Sequence, residues 1–257
     1  MKPGTTVPLM KLMPEGSQND VRQMFNRISR RYDLLNRLLS FGTDVSWRRK
    51  MASFLPRHND QQILDLATGT ADQILALFEQ TDQVRSGIGM DLAEKMLELG
   101  RKKIEGRGLS EVISLNVGDV TAIPVGNEAF DVVTISFGIR NVRHVAKGIE
   151  EMYRVLKPGG RVLILEFSLP RSRLVRGGYL FYLRHILPRV GALVSGAPLA
   201  YRYLNETIET FPYGEVFCNL LRAEGFTAVE AHPLTFGVAM LYRGDKPVEP
   251  RMQGFSS

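Results

Sequence analysis

The chain has 257 residues, of which 44% are hydrophobic and 23% are charged, and its formal net charge is +6. This length predicts one large domain with a sizeable core. A single cysteine, Cys218, excludes an internal disulfide framework, and four scattered histidines argue against a metal site. No run reaches the roughly 18 apolar residues of a membrane-spanning helix and no signal peptide is visible, so we expect a cytoplasmic location.

Positive charge is concentrated in two segments. Residues 17–50 carry eight basic groups against three carboxylates, and residues 171–189 carry five arginines and no carboxylate. Such a surface suits nucleic acid, an anionic membrane or plain solvation, and charge alone leaves all three open.

The chain begins with a predicted flexible tail over residues 1–18, followed by a helical cap over residues 19–57. Apolar residues recur at intervals of three and four from Gln18 to Leu39, which predicts an amphipathic helix. Ser40-Phe41-Gly42 interrupts this helix, and Asp44 to Leu55 is predicted to form a second one.

From residue 58 to 245, short apolar strands alternate with helices. The predicted strands are 63–67, 84–90, 112–116, 130–137, 161–167, 228–232 and 237–243. This pattern predicts a doubly wound α/β domain with a mostly parallel seven-stranded sheet, closed by an antiparallel pair. The aromatic, arginine-rich region 171–205 is predicted to be a helical insertion that covers a substrate pocket. A helix is predicted over 206–224 and a second flexible tail over 246–257.

The first strand-to-helix turn, Asp65 to Asp72, is the first candidate for cofactor binding. Sheets of this type bind ligands at the carboxyl ends of their strands, where the strand order reverses. Gly69 lets the backbone approach a ligand closely, and the next helix offers free N–H groups. Ala71 and Asp72 replace the later glycines of the dinucleotide motif, so a pyrophosphate would be held poorly.

Two acidic residues end the next two strands. Asp91 follows Gly69 by 22 residues, close to the spacing at which an acid reaches ribose hydroxyls, although a helix N-cap is the alternative. The Asp119 carboxylate suits a hydrogen bond from an adenine amino group, and the alternative is that the residue only forms a turn. Together with the Gly69 loop, these positions favour a cationic sulfonium with a zwitterionic tail over a nucleotide phosphate.

At this point the sequence resembles the prenylquinone C-methyltransferases of the UbiE/MenG type, over about Val21 to Pro247. Members are class I S-adenosylmethionine-dependent methyltransferases with a Rossmann-like fold. The Lys-Pro-Gly-Gly turn at 157–160 is common to many methyltransferases, whereas two other stretches are far more selective. These are Arg31-Tyr32-Asp33-Leu34-Leu35-Asn36 and Phe137-Gly138-Ile139-Arg140-Asn141.

The resemblance implies contacts with S-adenosylmethionine, with no metal. Thr70 would bind the amino-acid end, and Ser136 would lie under the methionine portion. Asp119 and Val120 would flank the adenine, and Asp91 would hold the ribose. The sequence departs from the family after Phe41-Gly42, where Asp44-Val45 replaces a common His-Arg pair.

The implied reaction methylates a ring carbon of a reduced, demethylated quinone. Its phenol becomes a good nucleophile once deprotonated, and the permanent charge of Arg140 suits the phenolate. Asn141 and Tyr32 would orient the ring oxygens, with Tyr201 or Tyr203 as further donors. Spacing alone also allows a surface ion pair for Arg140 and a core position for Tyr32, and no base is identified.

The prenyl tail implies peripheral contact with an anionic membrane, on the inner face of the cytoplasmic membrane, through the two basic segments. We expect demethylmenaquinol as acceptor, with a ubiquinone precursor or O-methylation as alternatives. An RNA methyltransferase is disfavoured because the residues after the fourth strand lack an Asn/Asp-Pro-Pro-Tyr motif. A nucleotide-dependent oxidoreductase is disfavoured by the missing third glycine. A homodimer stays open.

Overall fold

The computed structural model describes residues 18–189 and 198–248. Its α-helices are α1 (Gln18–Ser40), α2 (Asp44–Met51), α3 (Asp72–Gln80), α4 (Glu94–Glu105), α5 (Val145–Val155), α6 (Arg173–Phe181), α7 (Pro198–Thr210) and α8 (Glu215–Ala223). Its strands are β1 (Gln61–Leu66), β2 (Val84–Asp91), β3 (Ile113–Val117), β4 (Phe130–Ser136), β5 (Leu156–Phe167), β6 (Thr227–Leu234) and β7 (Ala239–Asp245). Within the described ranges, no helix combines the length and hydropathy needed to cross a bilayer.

The seven strands form one sheet in the order β3-β2-β1-β4-β5-β7-β6. Strands β1 to β5 pair in parallel, and β7 lies antiparallel between β5 and β6. The order reverses between β1 and β4, whose carboxyl ends lie side by side with Leu66 opposite Ile135. The predicted doubly wound sheet with an antiparallel closing pair is confirmed.

The central strands are buried on both faces, as their continuous apolar sequences predict. On one face α5 and α8 pack over β4 and β5, around Val133, Ile149 and Phe217. On the other face the N-terminal cap and α6 cover Leu163 and Leu165. The N-terminal cap therefore packs directly on the sheet.

The prediction of a single helix over 206–224 is wrong. The structure has two helices, because Pro212 has no backbone N–H to donate and Gly214 adopts a positive φ of 63°. Helical structure between 173 and 189 agrees with the predicted insertion, and it includes a π-turn at Tyr182–Ile186. Residues 190–197, within that insertion, lie outside the described ranges.

The departure at Asp44-Val45 has an internal role. Asp44 is fully buried, accepts a hydrogen bond from the Ser40 hydroxyl at 2.9 Å and forms an ion pair with Arg37. Arg48 contributes a second charge at 3.8 Å. Asp44 therefore joins the end of α1 to the start of α2.

Trp47 attaches α2 to the sheet. Its ring lies 6.2 Å from that of Phe137 and 6.1 Å from that of Phe167, which are themselves stacked at 4.5 Å. The indole Nε1 donates to the Thr235 hydroxyl at 2.9 Å. Only 3% of Trp47 is exposed, so the indole is both a packing element and a satisfied donor.

We expect Trp47→Ala to lower the free energy of unfolding by about 3–5 kcal/mol, because it leaves a large cavity and an unpaired Thr235 hydroxyl. Urea denaturation followed by circular dichroism measures this change. The free energy of unfolding of Trp47→Phe, which keeps an aromatic ring, should lie between those of Trp47→Ala and the wild type. A loss below about 1 kcal/mol for Trp47→Ala would show that the cap is not held by this contact.

Candidate functional site

An open cleft of about 700 Å³ lies at the carboxyl ends of β1, β2 and β4. The loop after β1 supplies Gly69 to its wall, and the turn after β4 supplies Asn141. Helix α1 supplies Arg22 and Phe25, so the N-terminal cap closes one side. The cleft lies where the topology of the sheet predicts a ligand.

The backbone around this cleft adopts unusual conformations. Ala67, Gly69 and Ala71 all have positive φ, at 45°, 57° and 67°, and Phe137 has a φ of 57°. For residues other than glycine such angles cost on the order of 1–3 kcal/mol each, and they concentrate at functional sites. A Cβ placed on Gly138 would lie 2.5 Å from the Cβ of Ala67, so only glycine fits against the first loop.

Asp91 lies at the cleft wall with a fixed carboxylate. One oxygen accepts from the Gly69 N–H at 2.9 Å and the other from the Ala93 N–H at 2.8 Å. Burial raises the pKa of Asp91, although these two hydrogen bonds oppose the rise. The contact with Ala93 resembles a cap for α4. Asp91 therefore fits the predicted alternative of a helix N-cap and also lines the cleft.

Asp119 and Val120 also reach the cleft wall. The carboxylate of Asp119 accepts from both the backbone N–H and the hydroxyl of Thr121 at 2.8 Å, as a turn residue would. Apolar side chains beside it include Leu92 and Met96. This end of the cleft offers a flat, mainly apolar space with an acidic edge.

Three predicted cofactor residues lie outside the cleft wall. The Thr70 hydroxyl donates to Asp33 at 2.7 Å, and the Ser136 hydroxyl donates to Gln73 at 2.8 Å. Asp65 accepts from the hydroxyls of Thr68 and Thr134, both at 2.6 Å. Their direct contact with a ligand stays a prediction.

Arg140 is buried, which argues against a solvated surface pair. Its Nη1 donates to Glu166 at 2.5 Å and to the Phe137 carbonyl at 2.8 Å, and its guanidinium carbon lies 5.4 Å from the Phe167 ring centre. Burial raises the pKa of Glu166 even though Arg140 opposes the rise. Within the described part of the chain, Arg140 Nε and the buried Tyr179 hydroxyl have no hydrogen-bond partner.

Asn141 joins this buried cluster to the cleft. Its side-chain oxygen accepts from the Tyr203 hydroxyl at 3.0 Å, which brings a predicted catalytic residue and a predicted substrate residue together. The side chains of Tyr32 and Tyr201 lie outside the described residues. Their predicted roles stay predictions.

Comparison with known proteins decides the family. Residues 13–246 match the model of the ubiE/COQ5 methyltransferase family. The chain belongs to this family. It is 42% identical to a ubiquinone/menaquinone biosynthesis C-methyltransferase UbiE of Geobacter sulfurreducens, over 93% of each chain. It is 46% identical to a demethylmenaquinone methyltransferase of Thermus thermophilus, over 87% of this chain and all of the relative.

Solved structures agree on the fold. A SAM-dependent methyltransferase from Thermotoga maritima has a TM-score of 0.60 at 19% identity, covering 87% of this chain and 99% of that one. The [4+2]-cyclase SpnF has a TM-score of 0.61 at 14% identity, covering 92% and 99%. This ubiE/COQ5-family member is an S-adenosylmethionine-dependent C-methyltransferase with the Rossmann-like fold of its class.

The cleft of this methyltransferase fits S-adenosylmethionine. Asp91 offers fixed acceptors for hydroxyl groups, the walls near Met96 suit a purine, and Ala71 and Asp72 occupy the positions where a phosphate-binding loop has glycines. Two carboxylates at the wall also suit the positive charge of a sulfonium. Among the described residues, no group of three or more His, Cys, Asp or Glu side chains could hold a metal ion.

Sequence reasoning missed several residues that shape this site. Arg22 and Phe25 line the cleft, but in the sequence they are ordinary members of an amphipathic helix. Glu166 and Lys103 are partners of predicted site residues. For Glu166 a local signal existed, because a carboxylate at the end of an apolar strand needs a partner when it is buried.

Asp65 makes the stability of this methyltransferase depend on pH. Burial raises its pKa to about 6, against the opposing hydrogen bonds from Thr134 and Thr68. An acid whose pKa is higher in the folded state contributes stability that is full below its unfolded pKa of 3.8, and this stability is lost as the pH rises through about 6. The difference corresponds to ~3 kcal/mol.

We therefore expect the wild type to gain stability relative to Asp65→Asn as the pH falls from about 7 to about 4, by an amount on the order of 3 kcal/mol. Urea unfolding of both proteins across this range measures the difference, in which the contributions of other groups cancel. Asp82→Asn, which removes an exposed carboxylate, is the matched control. A pH-independent difference between wild type and Asp65→Asn would contradict the assignment.

Proposed function

We propose that this methyltransferase methylates a ring carbon of a reduced, demethylated prenylquinone, with demethylmenaquinol as the acceptor. The names of the relatives from Thermus thermophilus and Geobacter sulfurreducens support this substrate class. The structural observation that carries the proposal is the turn after β4. There Gly138 and Asn141 face the cleft, while Arg140 is buried and its Nε has no hydrogen-bond partner among the described residues.

Bound S-adenosylmethionine supplies an electrophilic methyl group in this reaction. The chain's own residues prepare the acceptor. Arg140 Nε and the Tyr179 hydroxyl each have a proton to donate. A phenolate oxygen is an acceptor whose negative charge complements the positive charge of the guanidinium. Asn141, oriented by Tyr203, would hold a ring oxygen at the cleft wall. Glu166 is the ion-pair partner of Arg140 before the phenol loses its proton.

The direct test is methyl transfer by purified protein. We expect S-adenosylmethionine and demethylmenaquinol in detergent micelles to give menaquinone after air oxidation, detected by mass spectrometry and by the quinone absorbance. The oxidised demethylmenaquinone should give no product, because it has no phenol to ionise. Asp91→Ala should abolish transfer, because it removes the carboxylate that we expect to bind the cofactor.

The same assay separates the alternatives. A C-methylated quinol reoxidises to a quinone, whereas a phenol methyl ether does not, so a product of the right mass without quinone absorbance would indicate O-methylation. Faster transfer to the ubiquinone precursor, 2-methoxy-6-polyprenyl-1,4-benzoquinol, would reassign the acceptor. Accumulation of demethylmenaquinone in a deletion strain gives the corresponding result in cells.

Arg140 is testable without disturbing charge balance. Arg140→Met alone leaves Glu166 as an unpaired buried carboxylate, which costs on the order of 3–5 kcal/mol of stability. Combining it with Glu166→Gln removes both charges. We expect the double variant to fold, to bind S-adenosylmethionine as the wild type does, and to lose kcat by about 10²–10³-fold. An unchanged kcat would exclude Arg140 from stabilising the phenolate.

The chain also has a surface suited to the bilayer that holds its substrate. On α6, Leu174 is 87% and Phe181 is 59% exposed, seven residues apart on one face, with open space above Gly177 and Gly178 between them. Exposed arginines flank this face at positions 171, 173 and 176. Phe41, at the end of α1, lies beside it through a ring contact of 4.3 Å with Tyr182. We propose that this face contacts an anionic membrane and that the 171–205 segment covers the acceptor.

Vesicle flotation tests the membrane proposal. We expect binding to vesicles containing phosphatidylglycerol at low salt and release at high salt, because each arginine near the surface contributes about 1 kcal/mol. Leu174→Glu with Phe181→Glu should abolish flotation. Val216→Glu, a 62% exposed apolar residue on α8, should leave it intact. Equal flotation with neutral vesicles would contradict the proposal.

A further inference from the structure

The turn between β6 and β7 exposes a phenylalanine on a strained backbone. Phe236 is 83% exposed. Thr235, Phe236 and Gly237 follow one another with positive φ, at 41°, 57° and 88°. A positive φ is uncommon for any residue except glycine, and it is least expected for a β-branched residue such as Thr235. Single exposed apolar residues are ordinary on protein surfaces, but the conformation that presents this one is not.

Buried side chains hold the turn on both sides of Phe236. Before it, the Thr235 hydroxyl accepts from Trp47 Nε1 at 2.9 Å. After it, the Gly237 carbonyl accepts from the Ser168 hydroxyl at 2.7 Å. Trp47 and Ser168 are both buried. The backbone at Phe236 is therefore fixed, and a fixed ring loses less conformational entropy when it is buried by a partner.

The turn lies at the edge of the sheet that also carries the cleft. Strand β7 runs antiparallel to β5, and Phe167 at the carboxyl end of β5 pairs with Ala239 at the start of β7. The turn before Ala239 is therefore at the carboxyl ends of the parallel strands, as the cleft is. An acceptor that enters this edge while its prenyl tail stays in a bilayer brings the turn toward the lipid.

Positive charge lies beside the turn. A Cβ placed on Gly237 would lie 3.4 Å from the Pro170 Cα and 3.9 Å from the Arg171 nitrogen, so the turn packs against the chain that enters α6. Arg171, Arg173 and Leu174 are exposed there. Apolar rings that enter the boundary between headgroups and acyl chains, next to arginines that attract anionic headgroups, are typical of surfaces that bind membranes.

We propose that Phe236 is a second membrane anchor, whose ring inserts into an anionic bilayer while Arg171 and Arg173 contact the lipid phosphates. This inference rests on the proposed membrane contact of α6 and adds a second point of attachment. Contacts at α6 and at the β6–β7 turn together restrict how the protein rotates on the membrane. They turn the carboxyl edge of the sheet, with its cleft, toward the lipid.

Tryptophan fluorescence tests this insertion at a single position. The chain has one tryptophan, Trp47, which is buried, so the wild type supplies a constant background. We expect the emission of Phe236→Trp to shift to shorter wavelength when phosphatidylglycerol vesicles are added, and to be quenched by lipid with brominated acyl chains. Val216→Trp, at a 62% exposed apolar position on α8, is the matched control and should show neither change.

Phe236→Gly removes the ring and keeps the turn, because glycine suits a positive φ. We expect it to unfold in urea close to the wild type and to bind phosphatidylglycerol vesicles at least about tenfold more weakly, since the apolar area of a phenylalanine is lost from the contact. Equal affinity of Phe236→Gly and the wild type would overturn the proposal. So would an unchanged emission of vesicle-bound Phe236→Trp.

The remaining outcomes separate this inference from the proposal on which it rests. If the wild type does not bind the vesicles, the membrane contact of α6 is wrong as well. Binding of the wild type without the spectral change at position 236 removes only the second anchor. A blue shift of Phe236→Trp that grows with protein concentration in the absence of lipid would assign the turn to a contact between two copies of the chain and overturn the proposal.

Discussion

The close approach of Ala67 and Gly138 is the constraint on which the active site depends. The two residues follow β1 and β4, the neighbouring strands at which the sheet order reverses, and a Cβ on Gly138 would come within 2.5 Å of the Ala67 Cβ. The parallel register of these strands brings their ends to the same level, with Leu66 opposite Ile135. From this point the first loop turns toward Gly69 and the second toward Asn141, and the cleft opens between them.

The strained backbone at this point is held by its surroundings. Positive φ at Ala67, Ala71 and Phe137 would each be unfavourable in a free peptide. Phe137 is locked by stacking on Phe167 and by contact with Trp47. The helical cap therefore has a second function beyond closing one side of the cleft. It fixes the aromatic ring from which the turn bearing Arg140 and Asn141 departs.

Local patterns in the sequence predicted the sheet and the strand ends that line the cleft. Alternating short apolar strands predicted seven strands, and the spacing from Gly69 to Asp91 predicted two residues that the fold joins by a 2.9 Å hydrogen bond. Strand ends can be inferred in this way because parallel topology brings every carboxyl end to one edge. The helix break is also visible locally, because Pro212 has no backbone N–H to donate.

Partners distant in the sequence could not be read from such patterns. Lys103 and Asp33 are 70 residues apart, Ser136 and Gln73 are 63 apart, and Arg140 and Glu166 are 26 apart. Each is an ordinary polar residue locally, and only the packing of one element on another brings it to its partner. In the fully buried pair of Arg140 and Glu166, removal of one partner would cost on the order of 3–5 kcal/mol. The sequence therefore placed Gly69, Asp91 and Asp119 at the strand ends that line the cleft, but it did not identify the distant partners of the surrounding side chains.

The fold of the sheet and the reaction that the protein catalyses are separate questions. The [4+2]-cyclase SpnF has the same fold at 14% identity, so a Rossmann-like sheet of this order does not by itself determine the reaction. Three elements outside the sheet distinguish this protein, namely the cap, the turn after β4 and the insertion that carries α6. Tyr182 of the insertion donates to the Leu38 carbonyl of the cap at 2.5 Å. Tyr203 donates to Asn141 in the turn after β4 at 3.0 Å. Because these three segments lie outside the strands, their side chains can change while the carboxyl edge of the sheet is kept.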